Sequence, residues 1–382
     1  MAFLQWAKFV REHGGGFAYQ ADPRYNYPPL MAWTLWLFAK LAGTDANLLE
    51  YFDYYKLFPL ACDFAAAAVA VKCFARQRGE IICLLVLIAN PIFIYDSYFW
   101  GQVDAVYGAL VFFSLMLALR DRPVGSLLCY LLALNFKVQP IVYAPLLALV
   151  FWWKWRNPWT TRQVGTAVGV AAVAQGVILL PVVLAGQFWP MITVLRHAVG
   201  YFPKVSFNAY NFWHLFYGRD SLNMKDYTPV FAGVSSRHIG EFLFLAFAAA
   251  VLAPWLIAFW RAKFLQLRVA MDESRLLLLF ALITLFFFFF CTESHERFST
   301  PALLYVAAYA FHTRRYFLLP LALLPYGLNM DYILRHFAFP NYEIWPFDSR
   351  LVAALYAILI AALLWFYFRP PAKTDAPPPA PA

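Results

Sequence analysis

Charged side chains are scarce in this sequence. Asp, Glu, Lys and Arg make up 13% of its 382 residues, against about a quarter in a soluble domain. So few polar groups cannot cover a soluble body of this size, which excludes an ordinary soluble globular protein. Cysteine is also rare: the five cysteines lie in or beside apolar runs, at spacings that suit no metal. Neither a disulfide framework nor a cysteine metal site is indicated.

Hydrophobic residues are abundant, at 63% of the chain, and they arrive in blocks. Residues 164–195, 242–260, 276–292 and 351–368 contain no charge. Each block is near or above the length of about 17–25 residues that spans a bilayer as a helix. Several shorter apolar blocks accompany them. The sequence therefore predicts an all-α, polytopic transmembrane helix bundle.

About eleven spans can be drawn, with boundaries uncertain by several residues. They are residues 57–72, 80–96, 103–119, 123–136, 137–153, 163–187, 241–260, 275–291, 299–311, 315–333 and 350–368. Alternate loops differ in their content of Lys and Arg, and cytoplasmic loops carry the excess. The richer loops are 72–80, 120–122, 154–162, 261–275, 312–315 and the segment from residue 369. These loops are predicted to be cytoplasmic and the others external.

Three regions follow from this topology. Residues 1–56 form an external juxtamembrane segment, in which the apolar block 27–41 lies along the outer surface. Residues 57–368 form the transmembrane bundle. The Pro- and Ala-rich residues 369–382 form a disordered cytoplasmic tail. The net charge of +9 is spread over short loops, which indicates membrane lipids and not nucleic acid as the partner.

Polar residues collect at the predicted external ends of the spans. Residues 96–104 carry two carboxylates, an amide and three aromatic rings, and residues 292–297 carry two acids, a histidine and an arginine. Lys137 lies in a very short loop, and Asp63 lies inside a span. An ionisable group at membrane depth costs at least about 2.5–3.5 kcal/mol unless it is paired or in a wet cavity. The clustering predicts one polar cavity that opens outward.

Plainer roles remain open for three of these residues. Asp63 is also explained as the structural partner of a buried Arg or Lys, or of the backbone. His295 alone would be an ordinary interfacial histidine, although its place in a His-Glu-Arg sequence beside an apolar run favours a site. Asp104, in the first turn of a predicted helix, is also explained as an N-terminal residue that the helix dipole favours.

Taken in order, seven segments resemble the GT-C glycosyltransferases, which are polytopic enzymes that use lipid-phosphate sugars. The most similar members are bacterial proteins like the GPI mannosyltransferases, and the glucosyltransferases of the N-glycan pathway. The segments cover residues 1 to about 300, and each is a weak signal alone. They are 3–14 with Trp6, Asn-Tyr-Pro-Pro-Leu at 26–30, 56–63, Phe-Trp-Gly-Gln-Val-Asp at 99–104, Asn-Phe-Lys-Val-Gln-Pro at 135–140, Ser-Phe-Asn-Ala-Tyr-Asn-Phe-Trp at 206–213, and Ser-His-Glu-Arg at 294–297.

The resemblance implies transfer of a hexose, mannose or glucose, from a polyprenyl- or dolichyl-phosphate sugar to an unknown external acceptor, with inversion of the anomeric carbon. A carboxylate would accept the acceptor's proton, and cations would hold the leaving phosphate. Lys137, His295 and Arg297 are the phosphate candidates, and Asp104 is the catalytic candidate. The candidate substrate-binding residues are Asp63, Gln102, Lys137, Gln139, His295, Glu296 and Arg297. No metal or cofactor is expected.

The resemblance also bears on the start of the chain. The family keeps its catalytic Asp at the end of a span that precedes the part similar to Phe3–Trp6. Met1 and Ala2 stand there instead, so we expect either a true start further upstream or an impaired catalyst. The chain should then show at most weak transfer until an upstream segment is added. If the protein is bacterial, it is expected in the inner membrane with the active site facing outward.

Two other classes compete with the enzyme. A transporter or a flippase for lipid-linked sugars would also use Asp63 and Lys137 inside the membrane. The sequence has no internal repeat and no paired broken helices, and its polar groups crowd one face, which favours the enzyme. The third class is a noncatalytic scaffold.

Overall fold

The computed structural model describes residues 2–22, 24–75, 79–156, 158–198, 200–264, 272–338 and 345–369. The helices up to residue 156 are α1 Ala2–His13, α2 Pro29–Ala42, α3 Asp45–Tyr51, α4 Leu57–Phe74, α5 Glu80–Ile88, α6 Asp104–Leu119, α7 Pro123–Phe136 and α8 Ala144–Arg156. The later helices are α9 Thr161–Leu184, α10 Phe188–Arg196, α11 Phe212–Tyr217, α12 Ser236–Phe264, α13 Glu273–Phe290, α14 Thr300–Thr313, α15 Leu318–Ala338 and α16 Ser349–Phe368. A short antiparallel hairpin, β1 Pro229–Phe231 and β2 Val234–Ser235, accompanies them.

The predicted all-α membrane bundle is confirmed. Within the described residues, five helical stretches are long and apolar enough to cross a membrane: Asp45–Phe74, Thr161–Leu184, Ser236–Ala262, Glu273–Phe290 and Ser349–Phe368. Each contains or closely matches a predicted span. The helices α2, α6 and α7 are apolar but shorter. The count of eleven spans remains a prediction.

One predicted span is interrupted in the structure. Residues 80–96 were expected to be helical, but α5 ends at Ile88. The Asn90 side chain accepts a hydrogen bond from the backbone N–H of Ile92 at 2.9 Å, and Pro91 between them has no N–H to continue a helix. The chain re-forms a π-helical turn at Tyr95–Trp100, at the start of the predicted external loop.

Local sequence explains where several long helices begin. Thr160 and Gln163 form a reciprocal capping box at the start of α9, which satisfies backbone N–H groups that a helix leaves unpaired. The carboxylates of Asp272 and Asp348 accept backbone N–H groups at the starts of α13 and α16. These side chains end the polar loops and open apolar helices.

The chain divides into two compact units, one of Met1–Val69 with Ile94–Pro203 and one of Ala70–Phe93 with Lys204–Ala382. In the second unit α13 is the central helix. Of the residues in its most apolar stretch, 78% are buried inside the protein, against 17% for the corresponding stretch of α12. In the first unit, 22% of the residues in the most apolar stretch of α9 are buried. Exposed apolar faces on α9 and α12 are the faces that lipid would cover.

The core of the first unit joins the predicted external segment to the ends of α6 and α7. Trp6 and Tyr25 pack edge to face at 5.1 Å, and the same cluster contains Met31 of α2, Val103 and Phe136. Val103 and Phe136 immediately precede Asp104 and Lys137 in the sequence. Residues 1–56 therefore help to build the surroundings of two candidate site residues.

One glycine in this segment permits a close approach. A Cβ on Gly16 would lie 2.3 Å from the carbonyl oxygen of Pro181, which is far inside van der Waals contact. Only glycine lets the turn after α1 pack directly on α9. The predicted position of 27–41 along the membrane surface stays a prediction, and residues 370–382 of the predicted disordered tail lie outside the described residues.

Candidate active site

Asp104 and Lys137 form a buried ion pair in the first unit. The Lys137 ammonium donates to Oδ1 of Asp104 at 2.7 Å, and the two residues are 0% and 6% exposed. The ammonium also lies 5.6 Å from the centre of the Tyr107 ring. The structure thus brings together the catalytic candidate and one of the phosphate candidates.

The topology of α6 and α7 explains this meeting. Asp104 is the first residue of α6, and Lys137 directly follows the last residue of α7. A turn at residues 120–122 joins the two helices, so the start of one and the end of the next lie side by side. The position of Asp104 at a helix N-terminus fits the dipole interpretation, but its carboxylate is directed to a cation and not to its own helix end.

The pair is not explained by stability alone. Two charges lose their hydration when they are buried, and an apolar pair of similar volume is often as stable or more so. A buried ion pair beside a predicted span mouth is therefore a candidate for function. It presents an ammonium that a phosphate oxygen could engage and a carboxylate that could accept a proton.

Asp63 lies on α4 in the same unit and is buried. Its side chain lies near that of Ser97, and its Oδ2 has no hydrogen-bond partner. Among the described residues no Arg or Lys pairs with Asp63, so the interpretation as a structural ion-pair partner is not supported. A buried carboxylate oxygen without a partner is costly, which keeps Asp63 a candidate for a substrate hydroxyl.

The Trp-Gly-Gln segment is held against the start of α4. Gly101 has a φ of 70° and a Cβ on it would come within 3.1 Å of the Lys56 side chain, so glycine suits both the backbone and the space. The backbone N–H of Gln102 donates to the carbonyl of Asp96 at 3.0 Å. The buried Oε1 of Gln139 has no hydrogen-bond partner. Roles for Gln102 and Gln139 in binding substrate remain predictions.

His295, Glu296 and Arg297 form a compact group in the second unit. Arg297 donates to Oε1 of the buried Glu296 at 2.8 Å and lies 3.4 Å from Nδ1 of His295. Because a guanidinium only donates, His295 accepts through Nδ1 and, when neutral, carries its proton on Nε2. The His295 ring packs against Phe207 at 4.6 Å and Phe298 at 5.2 Å.

The segment 206–213 packs directly on this group. Phe207 donates its backbone N–H to the carbonyl of Ser294 at 3.0 Å. Asn211 donates to the carbonyl of Phe288 at 3.2 Å, and the Trp213 indole donates to that of Phe290 at 2.9 Å. Carbonyls at a helix C-terminus lack partners within the helix, so this motif caps α13 just before the His-Glu-Arg loop.

His214 follows this motif and is buried. Burial, and next the positive charge of Arg219, lower the pKa of His214 to about 3. Its Nε2 lies 3.0 Å from the hydroxyl of Ser221. The imidazole is therefore neutral at physiological pH. Because His214 is more deeply buried than His295, it can serve as the reference when the chemical reactivity of His295 is measured.

Sequence reasoning missed a second charged cluster in this unit. Arg237 binds Asp226 through two hydrogen bonds and Glu293 through a third. Asp226 and Arg237 lie in the long predicted external segment 187–241, where no spacing marks them. Glu293 directly precedes the Ser-His-Glu-Arg segment, and this neighbouring carboxylate was the sequence feature that could have indicated the cluster.

The two groups belong to separate compact units, so the single outward cavity remains a prediction. Among the residues that the structure describes, no three His, Cys, Asp or Glu side chains are grouped as metal ligands. Whether the reaction needs a metal stays a prediction from the sequence.

Helices of this length and apolarity define the class: an α-helical, multi-pass integral membrane protein. No protein-family model matches the chain. The sequence is similar to GPI mannosyltransferase 1 of Saccharomyces cerevisiae, with 23% identity over 273 residues. The match covers 69% of this chain and 61% of the yeast protein, so the chain spans about three fifths of the length of that relative. The similarity confirms the resemblance to mannosyltransferase-like GT-C glycosyltransferases.

Proposed function

We propose that this protein is a membrane mannosyltransferase that takes mannose from a lipid-phosphate-linked donor and passes it to a hydroxyl of an external acceptor. The observation that carries the proposal is the similarity to a GPI mannosyltransferase over 273 residues. Each unit by itself carries charges that such a transfer could use: the buried Asp104–Lys137 pair in the first unit and the His295–Glu296–Arg297 group in the second.

The proposed reaction is an inverting displacement. The acceptor oxygen forms a bond to the anomeric carbon as the bond from that carbon to the phosphate oxygen breaks, and the acceptor proton passes to a carboxylate. Negative charge grows on the leaving phosphate, so fixed cations stabilise the transition state. Lys137, His295 and Arg297 are the candidates to supply that stabilisation.

The ion pair suggests how donor binding and proton transfer are linked. In the absence of donor, the Lys137 ammonium donates to Oδ1 of Asp104 at 2.7 Å. A donor phosphate that engages Lys137 would draw the ammonium away from the carboxylate. The same step would free the carboxylate to bind a sugar or acceptor hydroxyl.

Direct binding of the donor tests the proposal. Purified protein in nanodiscs is titrated with radiolabelled polyprenyl-phosphate mannose, and Lys137→Met is compared with Lys154→Met. Lys154 is the matched control because it pairs with Asp121 at 2.9 Å in the same unit, where Asp121 is half-exposed. We expect saturable binding that Lys137→Met weakens and Lys154→Met retains. Absence of saturable binding by the unmodified chain would contradict the proposal, as would equal binding by both variants.

A further inference from the structure

We propose that Arg237, held by Asp226, is a positioning residue that fixes the loop carrying His295 and Arg297. The inference rests on the proposed function, because only the transfer reaction gives that loop a task. Arg237 lies in the first turn of α12, and Asp226 lies in the segment before the β1–β2 hairpin. Neither residue belongs to the candidate substrate-binding set.

The Asp226 carboxylate accepts three hydrogen bonds. Arg237 donates from Nε to Oδ2 at 2.9 Å and from Nη2 to Oδ1 at 3.1 Å. The hydroxyl of Thr292 donates to Oδ2 at 3.0 Å. The backbone N–H of Arg237 also donates to the Asp226 carbonyl at 3.0 Å. Bidentate charged hydrogen bonds are strong and directional, and Asp226 is fully buried, so the guanidinium has little freedom to move.

The same guanidinium reaches the loop that carries His295 and Arg297. Its Nη2 donates to Oε1 of Glu293 at 2.7 Å, two residues before His295. Glu293 has a φ of 58°, a left-handed conformation that costs about 1–2 kcal/mol for a residue other than glycine. The Arg237 contact and a 3.0 Å hydrogen bond from the Glu293 N–H to the Lys204 carbonyl hold it there.

This left-handed residue turns the chain at the end of α13. After the turn, Ser294 accepts the N–H of Phe207, and His295 forms isolated bridges with Phe207 and Asn208. The orientation of the His-Glu-Arg sequence thus depends on a turn that Arg237 stabilises from outside the loop. Lysine cannot replace this function, because a single ammonium does not reproduce the planar fork that binds two carboxylates.

The test compares Arg237→Gln and Arg237→Lys with the control Lys225→Ala. Lys225 is exposed and lies next to Asp226, so its removal takes a positive charge from the same segment without touching the cluster. The first readout is the rate at which diethyl pyrocarbonate modifies individual histidines, followed by mass spectrometry. His214, which is 0% exposed in the same unit, reports any general loosening.

We expect both Arg237 variants to raise the modification rate of His295 while His214 stays protected, and Lys225→Ala to change neither. We also expect the variants to lose about 10²-fold in kcat/KM for mannosyl transfer, the order of loss that a misplacement of 1 Å can cause. An unchanged His295 rate overturns the inference, and so does a parallel rise at His214, which would mean general destabilisation. If the histidine pattern holds but the unmodified protein transfers no mannose, the positioning of the loop stands and the proposed function fails.

Discussion

Lys137→Met would leave the buried Asp104 carboxylate without its counter-charge. Methionine keeps much of the lysine volume, so the change removes a charge with little loss of packing. Breaking a buried ion pair at one partner typically costs about 3–5 kcal/mol, because the remaining charge is desolvated and uncompensated. Asp104 is 0% exposed, so the cost of breaking a fully buried ion pair applies to this pair.

The double variant Asp104→Asn with Lys137→Met separates pairing from packing. It removes both charges, so we expect it to be more stable than Lys137→Met alone, although it should transfer no mannose. The control is Lys154→Met, whose partner Asp121 has a 46% exposed side chain. Exposed ion pairs contribute about 0–1 kcal/mol, and the control should lose no more than that.

The measurement is equilibrium unfolding in mixed micelles of a mild detergent and sodium dodecyl sulfate, followed by tryptophan fluorescence. The unmodified protein, both single variants Lys137→Met and Asp104→Asn, the double variant and the control Lys154→Met are compared at one pH and ionic strength. Equal unfolding midpoints for Lys137→Met and Lys154→Met would refute the reasoning, as would additive losses in the double variant. Either result would mean that Asp104 and Lys137 are not coupled through a desolvated contact.

Three further predictions concern other parts of the chain. Arg297→Ala should lower kcat/KM for mannosyl transfer by about 10–150-fold, from the 1.5–3 kcal/mol of a charged hydrogen bond, without preventing membrane insertion. The exposed Arg335→Ala should transfer normally, and full activity of Arg297→Ala would reject its role. Because burial lowers the pKa of His214 from its ordinary 6.5 to about 3, the unfolded chain binds more protons than the folded chain between these two values. Stability should therefore fall as pH drops below about 6.5, and His214→Gln should lose less; parallel pH profiles would contradict this. In a background without the five native cysteines, a cysteine at Asp121 should be labelled only from the cytoplasmic side and one at Tyr98 only from outside, and the reverse pattern would overturn the topology.

Much of the fold could be predicted because the bilayer constrains it. The uncharged blocks 242–260, 276–292 and 351–368 became α12, α13 and α16, and the longer block 164–195 became α9 and most of α10. Less could be predicted where a helix is broken, since the end of α5 depends on one hydrogen bond from Ile92 to Asn90. Hydropathy does not register such a break, although the Asn90-Pro91 pair in the sequence is itself a turn signal.

The candidate site also has parts that could be predicted from the sequence and parts that could not. Lys137 was recognised as a lysine in a very short loop, and Asp104 as a carboxylate of the 96–104 loop at the same predicted face of the membrane. That they partner each other at 2.7 Å depends on side-chain packing, which no spacing reveals. Asp226 and Arg237 escaped notice because a charged residue in a long loop is expected to be solvated, and only the structure shows Asp226 buried.

Mannosyl transfer from a lipid donor tests the central claim most directly. The purified protein, reconstituted in liposomes with a glycolipid acceptor mixture, is supplied with radiolabelled polyprenyl-phosphate mannose or with nucleotide-linked mannose. We predict slow transfer from the lipid donor alone, as label in the acceptor fraction above the level of protein-free liposomes, with loss of that label in Arg297→Ala and retention in Arg335→Ala. Label from the nucleotide donor alone would contradict the account, as would transfer from the lipid donor that Arg297→Ala leaves unchanged.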